Sequence, residues 1–157
     1  MTKAVVPGSF DPVTFGHIDV IMRARRLYGD VTVGILRNSD KKYLFTEKQR
    51  AEMLEYALRG TGIPVIVWDG YLWRLCTERG YGRIVKGLRD GDADYELLQA
   101  QYNMRRGVKT SVLRADEKYG SLSSSEVRRL LAAGEDISAL CPAAEMAREF
   151  YDKNTKL

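Results

Sequence analysis

"KAVVPGSFDPVTFGHIDVIM", residues 3–22, decides the fold. Ala4, Val5 and Val6 form the short apolar run of a buried strand, and Pro7-Gly8 ends it. From Gly16-His17 onward the apolar residues recur at helical spacing. Pro7 through Phe15 therefore reads as a loop joining a strand to a helix. Gly8 lets backbone amides approach a ligand, since no Cβ stands in the way, and Pro12 stiffens the turn. His17, the single histidine of the chain, falls at the mouth of that helix.

The alternation continues outward. Apolar, β-branched runs recur at Val31–Leu36, Val65–Trp68, Ile84–Val85 and Ser111–Leu113. Helical patterns follow the five runs at about 17–28, 46–59, 71–79, 93–106 and 124–133. Thr46 and Gln49 have the spacing of a capping box. A last helix is expected over about 142–152, with Pro142 in its first turn. This pattern predicts an α/β fold over residues 1–157: a single Rossmann-like domain, a five-stranded parallel sheet with helices on both faces. Ligands of such sheets sit beyond the carboxyl ends of the strands, so the loops after the strands should carry the chemistry.

Composition narrows the partners. The 157 residues are 45% hydrophobic and 29% charged, an ordinary globular balance. No apolar run approaches the roughly 18 residues of a membrane span. No signal-peptide pattern opens the chain, and Cys76 and Cys141 have no CxxC partner, so the cytoplasm is the expected compartment. The net charge of +4, without a long basic run, suits a small anionic substrate better than nucleic acid or a membrane.

Four of the five loops after strands then offer groups for a phosphate. The first turn of the helix at His17 presents free N–H groups and a dipole that favours anions, with the Ser9 hydroxyl nearby. The same dipole disfavours imidazolium, so His17 is expected to be neutral and to donate; the plain alternative is a histidine that only caps the helix. Lys41-Lys42 follows the second strand, where an ammonium can reach a phosphate as a compact charge; the plain alternative is a solvated loop. Lys86-Gly87-Leu88-Arg89 follows the fourth strand and ends in a fork suited to phosphate oxygens. Ser123 and Glu126 have capping-box spacing, and Ser124 and Ser125 exceed what one cap needs. Both cysteines read as small buried apolar residues.

At these residues the chain resembles a known family. "PGSFDPVTFGH" is similar to the GxFDPxxxGH signature of the nucleotidyltransferase superfamily, in particular of the phosphopantetheine adenylyltransferases. "NSDKKYLFTEKQRAEML" (38–54), "VKGLRDGDADYELLQAQYNMR" (85–105) and "YGSLSSSEVRRL" (119–130) resemble three further blocks of that family, in its order and spacing. The resemblance implies transfer of AMP from ATP to 4'-phosphopantetheine in coenzyme A biosynthesis, assisted by Mg2+ carried on the phosphates, in a homohexamer. It implies that Ser9, His17, Lys41 and Arg89 are catalytic. It implies that Ser9, Phe10, His17, Gly87, Leu88, Arg89, Glu96, Tyr119, Gly120, Ser121, Leu122, Ser123, Ser124 and Ser125 meet ATP. The acceptor would meet Ser9, Lys41, Trp73, Lys86 and Asn103.

The chain departs from the family pattern at Lys86, where arginine is usual, at Trp73, where a smaller apolar residue is usual, and in the short acidic stretch 90–94. Arg128 and Arg129 stand where the family often has one lysine, which resembles the SSTxxR element of nicotinamide mononucleotide adenylyltransferases. Two other readings stay open at this point: a related transferase with another phosphorylated acceptor, and a nucleotide-binding regulator without activity.

Overall fold

The computed structural model describes residues 2–88 and 93–156, without the side chains of Ala93 and Glu96. Strand β1 (Lys3–Gly8) leads into α1 (Phe15–Tyr28), β2 (Asp30–Arg37) into α2 (Glu47–Ala57), and β3 (Val65–Asp69) into α3 (Leu72–Arg79). Then β4 (Arg83–Leu88) precedes α4 (Ala93–Met104), and β5 (Lys109–Arg114) precedes a short 3-10 turn (Glu117–Tyr119) and α5 (Ser124–Ala132). Helix α6 (Ala144–Thr155) is the last element. All five strands are parallel, in the order β3-β2-β1-β4-β5.

Alternation of side chains along the strands splits the core in two. Ala4, Val6, Val33, Ile35 and Val85 pack with α1, α2, α5 and α6 residues such as Ile21, Met53, Leu54, Val127 and Ala147. Val5 and Ile84 face the other way, against Leu75 and Cys76 of α3, Tyr81 and Val108. Cys141 lies in the first cluster and Cys76 in the second, so the sheet separates the two buried thiols.

The strand order reverses between β1 and β4, the place where sheets of this kind open a crevice. Here the crevice has a visible cause. β1 pairs with β4 only through Ala4↔Arg83 and Val5↔Ile84. Beyond those pairs Val6, Pro7 and Gly8 stay registered with β2, while Val85 through Leu88 stay registered with β5. The two central strands part, and Pro7, which has no N–H for a ladder, lies in the parted stretch.

Three boundaries differ from the sequence reading. Pro7 and Gly8 belong to β1 and Phe15 to α1, so the loop is 9–14. Lys86, Gly87 and Leu88 lie inside β4 rather than after it, because they pair with Val112, Leu113 and Arg114. Helix α6 begins at Ala144 with Ala143 as its N-cap, so Pro142 precedes the helix instead of opening it.

Candidate active site

A cleft of about 270 Å³ opens where β1 and β4 part. Its floor is Val6, Pro7 and Gly8 on one side and Lys86, Gly87 and Leu88 on the other. Two helix starts face it: Thr14, Gly16 and His17 of α1, and Ser123, Ser124 and Ser125 at α5. Lys41, Lys86 and Arg128 bring positive charge to its wall; Asp11 brings the single carboxylate among the described lining residues. Both oxygens of Asp11 are engaged, accepting from Leu44 N–H at 2.9 Å and Phe45 N–H at 3.0 Å. Two positive helix ends and three cations therefore face one space, an arrangement for polyanions.

The helix start at α1 is a reciprocal cap. Thr14 Oγ1 accepts from His17 N–H at 3.3 Å, and His17 Nδ1 accepts from Thr14 N–H at 2.9 Å. A nitrogen that accepts from an amide carries no proton, so the proton of the neutral imidazole sits on Nε2. Capping thus engages the Nδ1 side of the ring. The Phe10 ring meets the imidazole edge-on, with centroids 4.9 Å apart, and fixes its plane. Phe10 holds a φ of 50° while 3% exposed, and a Cβ on Gly8 would come within 3.0 Å of its ring. Gly8 is needed for Phe10 as much as for any ligand. Gly87 likewise makes room for α1, since a Cβ there would approach Val20 Cγ2 to 3.1 Å.

Contacts across long stretches of chain set the walls. Arg128 donates to the Asp11 carbonyl at 2.8 Å and to Ser125 Oγ at 3.0 Å. Ser124 Oγ donates to the Pro12 carbonyl at 2.8 Å, and Arg50 Nη1 donates to the Ser9 carbonyl at 2.9 Å. Ser123 caps Glu126 N–H at 3.2 Å, but Glu126 turns its carboxylate to Arg129. The expected capping box at α5 is therefore only half formed, because a guanidinium three residues on competes for the same carboxylate. At the foot of the Lys41 loop the Arg37 fork grips Glu47 at 2.8 and 2.7 Å and holds that carboxyl below its ordinary range.

The cleft gathers Ser9, Phe10, His17, Lys41, Lys86, Gly87, Leu88, Tyr119, Leu122, Ser123, Ser124 and Ser125 from the residues expected on sequence grounds. Gly120 and Ser121 are not in its lining; Ser121 faces a shallow hollow beside Leu140. Trp73 packs beside Leu75 and Ile84 on the α3 face of the sheet, and Asn103 is buried in α4; neither lines the cleft. Lys86 lies two residues after Ile84 and so leans toward that same face. Arg89 and the Glu96 side chain lie outside the described residues. Sequence reasoning missed Asp11, Thr14, Arg50 and Arg128 as builders of the site. Thr14, three residues before His17, was the one with a local signal.

Comparisons with known proteins give the family and the fold. Residues 5–130 match the cytidylyltransferase-like family model. A phosphopantetheine adenylyltransferase of Frankia casuarinae is 42% identical over 149 residues, 90% of this chain and 92% of that one. One of Thermobifida fusca is 43% identical over 145 residues, 90% of this chain and 88% of that one. Among solved structures, a Plasmodium falciparum nicotinic acid mononucleotide adenylyltransferase complexed with NaAD superposes with a TM-score of 0.69 at 16% identity, over 98% of this chain and 97% of that one. A lipopolysaccharide core biosynthesis protein of Thermoplasma volcanium gives 0.55 at 18% identity, over 74% of this chain and 97% of that one. At such identities these two structures speak for the fold alone.

Proposed function

The chain belongs to the phosphopantetheine adenylyltransferases within the cytidylyltransferase-like family, and we propose that the cleft between β1 and β4 is where it transfers AMP from ATP to 4'-phosphopantetheine. The products are dephospho-coenzyme A and pyrophosphate. An oxygen of the acceptor's terminal phosphate attacks the α-phosphorus of ATP. The bond from that phosphorus to the bridging oxygen breaks, and pyrophosphate leaves with the electron pair. The attacking phosphate already carries charge, so no side chain need act as a nucleophile. The protein's part is positioning and the stabilisation of charge.

The α-phosphate lies over the start of α1. Ser9, the first-turn N–H groups, the His17 Nε2–H and Lys41 meet the charge that builds there. Ser123, Ser124, Ser125 and Arg128 hold the phosphates that leave. Lys86, leaning to the α3 face, serves the acceptor phosphate, and the acceptor's arm runs on toward Trp73 and Asn103. Arg89 and Glu96 keep the nucleotide roles that the family resemblance implies. Assembly as a homohexamer belongs to the same reading, and exposed Leu97, Leu98 and Met104 on α4 give it an apolar surface.

A magnesium ion belongs to this chemistry, where it neutralises phosphate charge. The donor set does not build a cage for it: Asp11 is committed to two amides, and the described residues hold no cluster of three His, Cys, Asp or Glu. The ion would be carried by the phosphates and water.

The observation that carries the reading is the convergence of two helix starts on the gap where β1 leaves β4. Pyrophosphate release tests it, with ATP or CTP against 4'-phosphopantetheine, nicotinamide mononucleotide and glycerol 3-phosphate. Turnover is expected only with ATP and 4'-phosphopantetheine. Turnover on another acceptor alone would reassign the substrate, and binding without turnover on any acceptor would make the protein a regulator.

A further inference from the structure

We propose that Tyr43, held against Arg50, is a positioning residue for Lys41. The proposal rests on the reading that Lys41 meets the reacting phosphate. Lys41 sits in the loop between β2 and α2 and is exposed, so its four-carbon stem has many rotamers to choose from. Its Nζ lies 5.6 Å from the centroid of the Tyr43 ring, within the range at which a cation is drawn to an aromatic face.

The ring itself has little freedom. Arg50, 3% exposed, holds its guanidinium 3.9 Å from the ring centroid. The two residues after Tyr43 are pinned through their N–H groups by the Asp11 carboxylate. The same Arg50 donates to the Ser9 carbonyl. One buried cation therefore ties the ring that faces Lys41 to the loop that carries Ser9, and two substrate-facing groups on separate loops share one anchor.

The hydroxyl of Tyr43 points to the same conclusion. It is buried and has no hydrogen-bond partner among the described residues, as is Arg50 Nε. A buried hydroxyl without a partner destabilises, so the ring, not the hydroxyl, accounts for a tyrosine at this position. An exposed cation over a ring face gains about two- to fivefold in population, and turnover that depends on that ammonium should change by the same factor.

The test is a double-mutant cycle on the full chain, with kcat, both KM values and melting temperature measured for each variant. Tyr43→Phe keeps the ring and is expected to keep kcat, with an unchanged or higher melting temperature. Tyr43→Leu is expected to lower kcat about two- to fivefold with the KM for ATP unchanged. In a Lys41→Ala background Tyr43→Leu should cost nothing further. Equal losses from Tyr43→Leu with and without Lys41 would overturn the positioning role, as would a loss in Tyr43→Phe as large as in Tyr43→Leu. Should Lys41→Ala alone leave turnover intact, the catalytic reading of Lys41 is wrong and the positioning proposal falls with it. That failure is read from the single variant and is distinct from additivity in the cycle.

Discussion

The third residue of a helix can return a hydrogen bond to its N-cap, and His17 does so through Nδ1 at 2.9 Å. This leaves the ring's proton on Nε2, inside the wall of the cleft. His17→Ala is expected to lower kcat about a hundredfold, the usual loss of one donor to a transition-state anion. It should also lower melting temperature slightly, since the Thr14 N–H loses its partner. His17→Gln restores a side chain of capping-box type and is expected to recover the melting temperature but not the turnover. Near-normal kcat in the alanine variant would reduce His17 to a cap. Ser9 and His17 were legible because turn and helix-start chemistry is local, whereas Lys41 was singled out by the family resemblance. Asp11, Arg50 and Arg128 were not legible, because their partners lie 33, 41 and 117 residues away.

Helix α5 shows what an element adds to its residues. Its three serines are divided among three tasks: Ser123 caps, Ser124 ties the helix to Pro12, and Ser125 meets Arg128. Ser123→Ala should therefore cost about 1 kcal/mol of stability, the worth of an N-cap. Ser125 is exposed on the first turn, so Ser125→Ala should leave the melting temperature nearly unchanged while weakening ATP binding. Calorimetry with ATP on both variants checks the division; a stability loss at Ser125 without an affinity loss would make it structural. The run of hydroxyls announced this helix start, but the diversion of Glu126 to Arg129 did not show in the spacing. Nor did the reach of β4 through Lys86-Gly87-Leu88, which is polar and glycine-bearing and becomes strand only by pairing with β5.

At the scale of the molecule, periodicity announced strands, helices and their alternation, but not the order in which strands lie. The order β3-β2-β1-β4-β5 and the early end of β1–β4 pairing create the cleft, and both depend on contacts between distant segments. The same layering places Cys141 in the core on one face of the sheet and Cys76 on the other. Burial raises each thiol from an ordinary 9.0 to about 11. The unfolded chain releases these protons near 9 while the folded chain keeps them, so between pH 9 and 11 the folded state binds more protons. Stability is therefore full below pH 9 and falls as pH rises toward 11. Urea melts at pH 8 and pH 10.5 on the parent, Cys76→Ala and Cys141→Ala should show this. Both variants start less stable because a methyl-sized space is left, yet each should lose less between the two pH values than the parent does. Identical losses in the parent and both variants would mean that other groups, not the thiols, set the alkaline limit of the fold.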